Sequence, residues 1–360
     1  MTRTPSRRSP LGLAALATAA LLALAGCAPT DAPEPSDTPT SSLLPAAEGT
    51  TEYPLTLVTP FGETVLEERP ERIAVVGLSP NVDALQALGV TPVYTVGDGE
   101  PAFEWRDADW LSGIELVDTA TRSDPTNYEG IASTEPDLII ATNWIFDEEE
   151  YAKLSAIAPV LDNEELIDGD KVEWQQTQRL IGEVLDLRER ADQLVNEAED
   201  AIAAVAASHP EFDGKTVTIF TDYGEEYGIS YYTVAGGTAE SVLLDLGFAP
   251  NPTAEQFVDD ETVSEENQQL LDADVLVGLY FEPSVREARE AQPLFQAIPA
   301  VAEGRYVSLT STEDYTKLVT ADGTETGYLI WVLRRGSSVV TLPWAAEVIA
   351  DQWLADVDLP

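Results

Sequence analysis

The sequence contains a single cysteine, Cys27, and a single histidine, His209. One cysteine cannot form an internal disulfide, so no disulfide framework supports this fold. One histidine excludes the multi-histidine sites that usually hold zinc or manganese, and no Asp-rich loop has the spacing of a calcium site. His209 precedes a proline and is interpreted as an exposed turn residue, since no motif supports a Ser-His-Asp hydrolase around it. We therefore expect no resident metal, no cofactor and no catalytic site.

Basic residues are scarce: 19 Lys and Arg face 65 Asp and Glu, for a net charge of −46. Three of the arginines lie within the first 26 residues, and without them 16 basic residues remain, for a net charge of −49. A nucleic acid would be repelled by such a chain, which excludes nucleic-acid binding. Most of this charge is interpreted as a solubilising surface.

Only one long hydrophobic run is present, the 14 residues from Leu11 to Leu24. It is shorter than the roughly 20 residues that a membrane-spanning helix needs. Arg3, Arg7 and Arg8 precede it without any acidic residue, which is typical of a signal peptide, predicted here over residues 1–26. The segment from Ser6 to Leu11 also resembles a twin-arginine export signal, so the export route stays open.

The run ends in Leu24-Ala25-Gly26-Cys27, which resembles the lipobox of bacterial lipoproteins. The resemblance implies cleavage before Cys27, acylation of its thiol (palmitate being one such acyl chain) and anchoring at the extracytoplasmic face of the cell membrane. Residues 28–50 are rich in Pro, Ser, Thr, Asp and Glu and nearly lack bulky apolar residues before Leu43. Such a segment cannot offset its chain entropy by burial, so residues 27–50 are predicted to be a flexible tether.

The remaining roughly 300 residues are enough for two lobes with separate cores. Short apolar runs recur along them, and some are followed by helical patterns that stop at Gly89 or Gly247. The runs are Ile73–Val76, Val93–Val96, Leu138–Ala141, Val217–Phe220, Val275–Tyr280 and Tyr306–Leu309. This alternation predicts an α/β fold with mainly parallel sheets, in an N-terminal lobe over residues 51–170 and a C-terminal lobe over residues 209–360.

Between the predicted lobes, residues 171–208 contain no proline and keep apolar residues at spacings of three and four. This pattern predicts one amphipathic helix across Val172–Ala207. Unbroken, its 36 residues would span about 54 Å. A single helix joining two lobes predicts a stiff hinge, because bending it would break hydrogen bonds in its interior.

The order of several short motifs resembles the helical-backbone class of substrate-binding proteins of ABC importers, in its iron-siderophore and cobalamin branch. Two of them, Arg69-Pro70-Glu71-Arg72-Ile73-Ala74-Val75-Val76 and Asp83-Ala84-Leu85-Gln86-Ala87-Leu88-Gly89-Val90, resemble the first strand and helix of that class. Further matches are Glu135-Pro136-Asp137-Leu138-Ile139-Ile140, Ile157-Ala158-Pro159-Val160, Leu271-Asp272-Ala273-Asp274-Val275-Leu276 and Leu342-Pro343-Trp344-Ala345.

This resemblance implies a binding protein that performs no chemistry. It would hold a ferric siderophore in a cleft between its lobes, as a monomer, and deliver it to a membrane permease and its ATPase. Two alternatives stay open: a cobalamin or haem binder of the same fold, or a surface lipoprotein without a transport role. A haem iron would have to take a tyrosine as its axial ligand, because His209 is badly placed and Met1 is lost with the signal peptide.

Candidate ligand-binding residues follow the predicted strands, because α/β sheets leave a crevice at the carboxyl ends of their strands. Aromatic rings there would cover the apolar rim of a chelate and donate hydrogen bonds to its oxygens. The candidates are Ser79, Asn143, Trp144, Tyr223, Tyr231, Tyr280 and Phe281. The alternative role for these aromatic residues is to cap the core of each lobe.

Anionic catecholate or citrate complexes of iron favour converging arginine or lysine side chains. The basic residues available, Arg106, Arg122, Lys317, Arg334 and Arg335, are scattered in the sequence. The scarcity of such residues favours a neutral or cationic hydroxamate complex.

In the family, one glutamate on each lobe meets arginines of the permease. The matching positions are Glu129 in Asn127-Tyr128-Glu129-Gly130-Ile131 and Glu266 in Val263-Ser264-Glu265-Glu266. Each stands before a predicted strand, which supports the pairing, although Glu265 is an alternative to Glu266. A carboxylate at a helix N-terminus is also favoured by the helix dipole alone.

Overall fold

The apolar runs identified above become the central strands of two sheets. The computed structural model describes residues 43–77, 79–96, 103–118, 125–142, 147–163, 167–168, 171–313 and 315–360. One compact unit extends from Ser42 to Pro360. Cys27, Asn143 and Trp144 lie outside the described residues, as does Arg122.

Strands and short helices alternate in the first half of the chain. In order, they are β1 (Leu55–Thr59), β2 (Gly62–Leu66), β3 (Ile73–Val75), α1 (Ser79–Leu88), β4 (Tyr94–Val96), α2 (Ala108–Leu111), β5 (Leu116–Asp118), α3 (Tyr128–Ser133), β6 (Leu138–Ile140), α4 (Glu148–Ser155), β7 (Val160–Leu161), β8 (Ile167–Asp168), β9 (Lys171–Val172), α5 (Trp174–Val184) and α6 (Arg188–Ser208).

The second half begins after a 3₁₀ turn at Pro210–Phe212 and ends in a π-helical turn at Ile349–Trp353. Its elements are β10 (Val217–Asp222), β11 (Ile229–Tyr231), α7 (Thr238–Asp245), β12 (Thr262–Val263), β13 (Val275–Tyr280), α8 (Pro283–Glu290), α9 (Pro293–Gln296), α10 (Pro299–Ala302), β14 (Tyr306–Ser311), β15 (Lys317–Thr320), β16 (Glu325–Gly327), α11 (Leu329–Val332) and α12 (Thr341–Val348). Two further 3₁₀ turns lie at Ala254–Phe257 and Gln268–Leu271.

The N-terminal lobe is built on a parallel sheet with the strand order β5-β4-β3-β6-β7. β3 lies at its centre, with Ile73 opposite Leu138 of β6. All residues of β3, β4 and β6 are buried, because helices cover both faces of the sheet. This lobe has the parallel α/β arrangement that the sequence predicts.

The C-terminal lobe is built on a sheet with the strand order β12-β11-β10-β13-β14-β15-β16. Only the central strands β10, β13 and β14 are parallel to one another. The flanking strands β11, β12, β15 and β16 pair antiparallel. Parallel pairing is therefore confined to the centre of this sheet, where β10 and β13 are buried along their whole length.

Helices α1 and α7 end where the sequence predicts. Gly89 and Gly247 follow them with φ values of 72° and 98°, a left-handed conformation that glycine adopts without steric cost. The amide N–H of Gly247 donates to the carbonyl oxygen of Leu244 at 3.0 Å, which satisfies an acceptor of the last helical turn.

The prediction of one helix across Val172–Ala207 is wrong, because the segment forms two helices. A long helix is present, α6 with 21 residues, but the chain reverses at Asp186 between α5 and α6. The two helices run antiparallel, with Arg179 paired to Asp192 at 2.8 Å. α5 packs against α1 of the N-terminal lobe and reaches the C-terminal core at its first residue, Trp174, whereas α6 runs from one core into the other. The element that joins the lobes is therefore α6, about 31 Å long.

The folded unit also includes residues 43–50, which the sequence analysis assigned to the tether. Leu44 is buried in the core of the N-terminal lobe. The backbone N–H groups of Gly49, Thr50 and Thr51 donate to the carboxylate of Asp186 at 2.8 to 2.9 Å. This segment is clamped to the α5–α6 turn, so residues 43–50 belong to the folded unit.

Within the described residues, no helix combines the length and the apolar character needed to cross a membrane.

Candidate functional site

The carboxyl ends of the parallel strands define the candidate site. In the N-terminal lobe, the Asn81 side chain of α1 lies against Gly77 after β3, and its amide donates to the Thr142 carbonyl oxygen after β6 at 3.0 Å. The Thr142 hydroxyl hydrogen-bonds back to the Asn81 side chain, and both residues are buried. Asn81 therefore fixes the strand edge from which the segment with Asn143 and Trp144 continues.

In the C-terminal lobe, aromatic side chains follow each of the three parallel strands. Tyr223 after β10 stacks on Phe281 after β13, with ring centroids 4.9 Å apart. Phe281 also contacts Tyr315, which follows β14, at 6.2 Å. We call Tyr223, Phe281, Tyr315 and the adjacent Tyr328 the aromatic cluster. Because Tyr223 and Phe281 are half-buried and Tyr315 is 52% exposed, the cluster offers a surface to a ligand.

Tyr328 lies close to Ser311, Tyr315 and Tyr223. Its pKa is raised to about 12, chiefly by burial; the Ser311 hydroxyl lowers it and the neighbouring Tyr315 and Tyr223 raise it. The phenol therefore stays protonated at neutral pH. A neutral O–H group at this position can donate a hydrogen bond to a ligand oxygen.

The carboxyl edges of the two sheets face one another across α11. Trp331 of α11 packs against the N-terminal core cluster that includes Val76, Val96 and Ala141, at the ends of β3, β4 and β6. Tyr328, three residues earlier in the chain, belongs to the aromatic cluster of the C-terminal lobe. The short helix α11 therefore connects the aromatic cluster to the carboxyl edge of the N-terminal sheet.

The structure divides the predicted ligand-binding residues. Tyr223 and Phe281 lie together in the aromatic cluster. Tyr231 and Tyr280 are fully buried in the core of the C-terminal lobe instead. The Tyr231 ring stacks on Phe257, and the Tyr280 hydroxyl shares a hydrogen bond of 2.7 Å with Tyr306. These two rings cap the core, which was the alternative role considered for them.

Ser79 is the first residue of α1, and its side chain lies outside the described part of the structure, as do Asn143 and Trp144. Sequence reasoning missed Tyr315 and Tyr328. Tyr315 could have been found, since it follows the predicted strand that begins at Tyr306, and strand ends were the criterion applied elsewhere.

Most basic side chains near the lobe junction are engaged by acidic ones. Arg106 pairs with Asp83 at 2.9 Å, and Lys317 pairs with Glu325 at 2.7 Å. The Arg334 guanidinium contacts Glu261 and lies 4.7 Å from the centre of the Tyr232 ring. Among the described basic residues, Arg335 and Arg286 are the two whose guanidinium groups contact neither a carboxylate nor a carbonyl oxygen.

A cavity of about 710 Å³ lies elsewhere on the C-terminal lobe. It opens at the beginning of β14, the amino edge of the sheet, and is bordered by Glu290, Asp322, Asp351 and Asp356 without any basic residue. Its position opposite the aromatic cluster separates it from the candidate site.

His209 lies at the end of α6, as expected, but its ring is not freely exposed. Its two nitrogens contact the carboxylates of Glu211 and Asp351 at 2.9 and 3.1 Å, and the side chain is 18% exposed. The ring also stacks on Phe212. In the described part of the chain, no group of three or more His, Cys, Asp or Glu residues is arranged to hold a metal ion.

The two predicted docking glutamates occupy equivalent places. Glu129 and Glu266 each lie nine residues before the first residue of a strand, β6 and β13 respectively. Each of these strands is the parallel neighbour of the first central strand of its lobe. Both glutamates are exposed.

The neighbouring Glu265 is held within its own lobe. Its carboxylate accepts hydrogen bonds from the buried Arg289 at 2.6 and 2.9 Å. The hydrogen bond from Arg289 lowers the pKa of Glu265, against the opposing effect of partial burial. Glu265 is therefore less available than Glu266 to a second protein.

The model of the periplasmic binding protein family matches residues 73–313 of this chain, which include the N-terminal sheet and the parallel central strands β10, β13 and β14 of the C-terminal sheet. No curated protein shows significant sequence similarity to it.

Several solved structures share the fold. A periplasmic solute binding protein from Mycobacterium smegmatis str. MC2 155 is 25% identical, with a TM-score of 0.64 over 84% of this chain and 98% of that one. Staphylococcus aureus SirA complexed with staphyloferrin B is 19% identical, with a TM-score of 0.63 over 84% and 99%. Streptococcus pneumoniae TIGR4 PiaA in complex with ferrichrome is 22% identical, with a TM-score of 0.63 over 81% and 95%.

Proposed function

The chain belongs to the periplasmic binding protein family, and from this premise we propose that it captures a ferric siderophore for an ABC importer. It would act as a lipoprotein anchored through Cys27 at the extracytoplasmic face of the cell membrane, and would pass its ligand to a permease driven by an ATPase. The observation that carries this proposal is the aromatic cluster between the lobes. The siderophores in the similar structures of SirA and PiaA support this ligand class.

A hydroxamate complex, neutral or cationic, fits the charges around the cluster best. Arg106, Lys317 and Arg334 are already engaged by carboxylates, so binding an anionic chelate would mean breaking existing ion pairs. Arg335 is the remaining described cation of the candidate set. Aromatic rings and neutral phenols, which the cluster supplies, suit an apolar chelate rim with oxygen acceptors.

The test is a fluorescence titration of the mature protein with a ferric hydroxamate, a ferric catecholate, ferric citrate, cobalamin and haem. We expect saturable tryptophan quenching by the hydroxamate and weaker binding of the anionic chelates. Preference for an anionic chelate would overturn the ligand-charge argument, and preference for cobalamin or haem would select that alternative. If none of these compounds quenches the fluorescence, the remaining alternative is a surface lipoprotein without a transport role.

A matched pair of tyrosine variants tests whether the aromatic cluster is the site. Tyr223→Ala removes a ring that stacks on Phe281, and we expect a loss of ligand affinity of about tenfold, the upper range for one aromatic contact. Tyr227→Ala serves as the control, because this ring lies in the same loop, is 74% exposed and makes no ring contact. Equal affinities of the two variants would place the ligand elsewhere.

For docking, we propose that Glu129 and Glu266 contact the permease. Their exposure and equal spacing from β6 and β13 support this role, as does the engagement of Glu265 by Arg289. Two charges on separate lobes would orient the protein on its partner more than they would add affinity.

Replacing both Glu129 and Glu266 by arginine should abolish ligand uptake by cells while leaving the affinity for free ligand unchanged. The control is the pair Glu63→Arg and Glu255→Arg, which makes the same charge change at other exposed positions. Normal uptake by the first pair, or equal loss in both pairs, would remove these glutamates from the docking surface.

A further inference from the structure

A buried ion pair lies at the junction of the lobes. Asp83 of α1 and Arg106, in the segment after β4, approach to 2.9 Å, and neither side chain is accessible to solvent. The second carboxylate oxygen of Asp83 accepts a hydrogen bond of 2.9 Å from the Ser338 hydroxyl. Ser338 precedes α12 and belongs to the C-terminal lobe. We call Asp83, Arg106 and Ser338 the junction triad.

Aromatic packing holds the Arg106 segment against the C-terminal lobe. The Trp105 ring stacks on Phe103 at 4.6 Å and contacts Trp344 of α12 at 4.9 Å. Gln86 of α1 fixes the same segment from the other side, donating to the Trp105 carbonyl oxygen at 2.9 Å and accepting from the Asp107 N–H at 3.1 Å. The segment is therefore fixed between α1 and α12.

The chemistry of the junction triad resists sliding of one lobe over the other. An apolar interface tolerates small shifts, since dispersion contacts are not directional. A buried carboxylate cannot lose a hydrogen-bond donor without a desolvation penalty. Moving Ser338 away from Asp83 would impose that penalty, so the triad favours one lobe spacing.

The same helix leads from the triad to the ligand edge. Asn81, two residues before Asp83, holds the ends of β3 and β6 through Thr142. Asn81, which positions the N-terminal strand edge, and Asp83, which belongs to the junction triad, thus lie two residues apart on α1.

We propose that the junction triad sets the width of the cleft, which makes Asp83, Arg106 and Ser338 positioning residues for the ligand. Its effect on ligand binding rests on the proposed function, whereas its effect on lobe spacing does not. Ser338→Ala should shift and broaden the distribution of distances between the lobes, and should speed release of ferrichrome.

The lobe spacing can be measured by pulsed electron paramagnetic resonance on the full mature chain. Cys27→Ser removes the only cysteine, so spin labels attach only at Ser155→Cys in α4 and Ala288→Cys in α8, both exposed. Ser337→Ala is the matched control, because this buried hydroxyl donates to the Val332 carbonyl oxygen within its own lobe. The double variant Asp83→Asn with Arg106→Gln tests the triad independently, should Ser338→Ala fail to fold.

A broader, shifted distribution in Ser338→Ala or in the double variant, with Ser337→Ala like the parent, would support the proposal. An unchanged distribution in both triad variants would overturn it, and so would equal broadening in the control. These distances are read without ligand, so an absence of ferrichrome binding would count against the proposed ligand and leave the result on lobe spacing intact. Unchanged ferrichrome release despite altered spacing would refute the positioning role.

Discussion

Asp186→Asn tests the clamp between the start of the folded unit and the α5–α6 turn. Asp186 has a φ of 53°, in the left-handed region. Asparagine tolerates that region as well as aspartate does, so the substitution adds no backbone strain. Any effect must then come from the carboxylate, which accepts from the N–H groups of Gly49, Thr50 and Thr51.

The magnitude follows from those three bonds. An asparagine can keep the two donors that share one oxygen, but its amide N–H₂ would then face the Gly49 N–H, donor against donor. One buried hydrogen bond is lost, which costs about 1–3 kcal/mol, and the two backbone bonds to the other oxygen lose their charged acceptor, which costs about 0.5–1 kcal/mol each. We expect the free energy of unfolding to fall by about 3 kcal/mol, measured by urea denaturation with tryptophan fluorescence.

The pH dependence gives a second measurement. Burial raises the pKa of Asp186, but the backbone N–H groups of Thr51, Gly49 and Thr50 together lower it below its usual value. A lowered folded-state pKa contributes stability above the unfolded-state pKa of about 3.9, and that stability is lost as the pH falls through the folded value. The stability difference between the parent and Asp186→Asn should be constant near neutrality and shrink below about pH 4.

The control is Asp192→Asn, whose carboxylate pairs with Arg179 in a half-exposed bridge. Such surface pairs contribute about 0–1 kcal/mol, so this variant should unfold almost like the parent. A loss below about 1 kcal/mol in Asp186→Asn, or a difference that does not change with acid, would refute the reasoning about the clamp.

Further predictions concern the anchor, the helix pair and the candidate site. Cys27→Ser should release the protein from membranes into the aqueous phase of a detergent partition, and unchanged partitioning would refute lipidation. Gly182→Ala places a new Cβ against the Cβ of Ala191. The overpacking should destabilise the fold by about 1–3 kcal/mol, more than the gain in helix propensity of about 1 kcal/mol, so the variant should unfold at a lower urea concentration. Trp144→Ala should weaken ligand binding and leave stability unchanged. Trp105→Ala, at a buried position, should lower the free energy of unfolding by about 3–5 kcal/mol. A large loss of stability in Trp144→Ala would show that Trp144 is a core residue.

The central strands could be predicted because each is a continuous apolar run between polar turns. β13 matches its predicted bounds, and β3, β4 and β6 differ from theirs by one residue. A strand that is buried on both faces is apolar along its whole length, so its own sequence is enough to identify it. The short edge strands, such as β12 and β16, carry too few residues to show a pattern.

The helix break could not be predicted, because its cause lies far away in sequence. Leu185 and Leu187 are both buried and continue the apolar period through the turn. The left-handed conformation of Asp186 is stabilised by Gly49, Thr50 and Thr51, more than 130 positions earlier. Hydrophobic periodicity shows which face of a helical segment is buried. It does not show that the chain reverses direction when the helices on both sides of the turn keep the same apolar period.

The structure separates the predicted ligand-binding residues into a core pair and a strand-end pair, and this separation has a simple physical origin. Side chains alternate faces along a strand, so the last strand residue and the next one point in opposite directions. Tyr280 is the last residue of β13 and packs inward, whereas Phe281 follows it and joins the aromatic cluster. A prediction that places strand ends within one residue cannot tell these two apart.

The stiff hinge expected from an unbroken helix needs a different explanation, because α5 and α6 are separate. α6 begins against the N-terminal core at Ala191 and continues into the C-terminal core at Val195 and Ile202. Trp105 adds a second connection, packing with the C-terminal core from the other lobe. Because the lobes are connected both at α6 and at Trp105, one lobe cannot rotate about either connection without disturbing the other. Small-angle closure therefore remains our prediction, with packing at the junction as its cause.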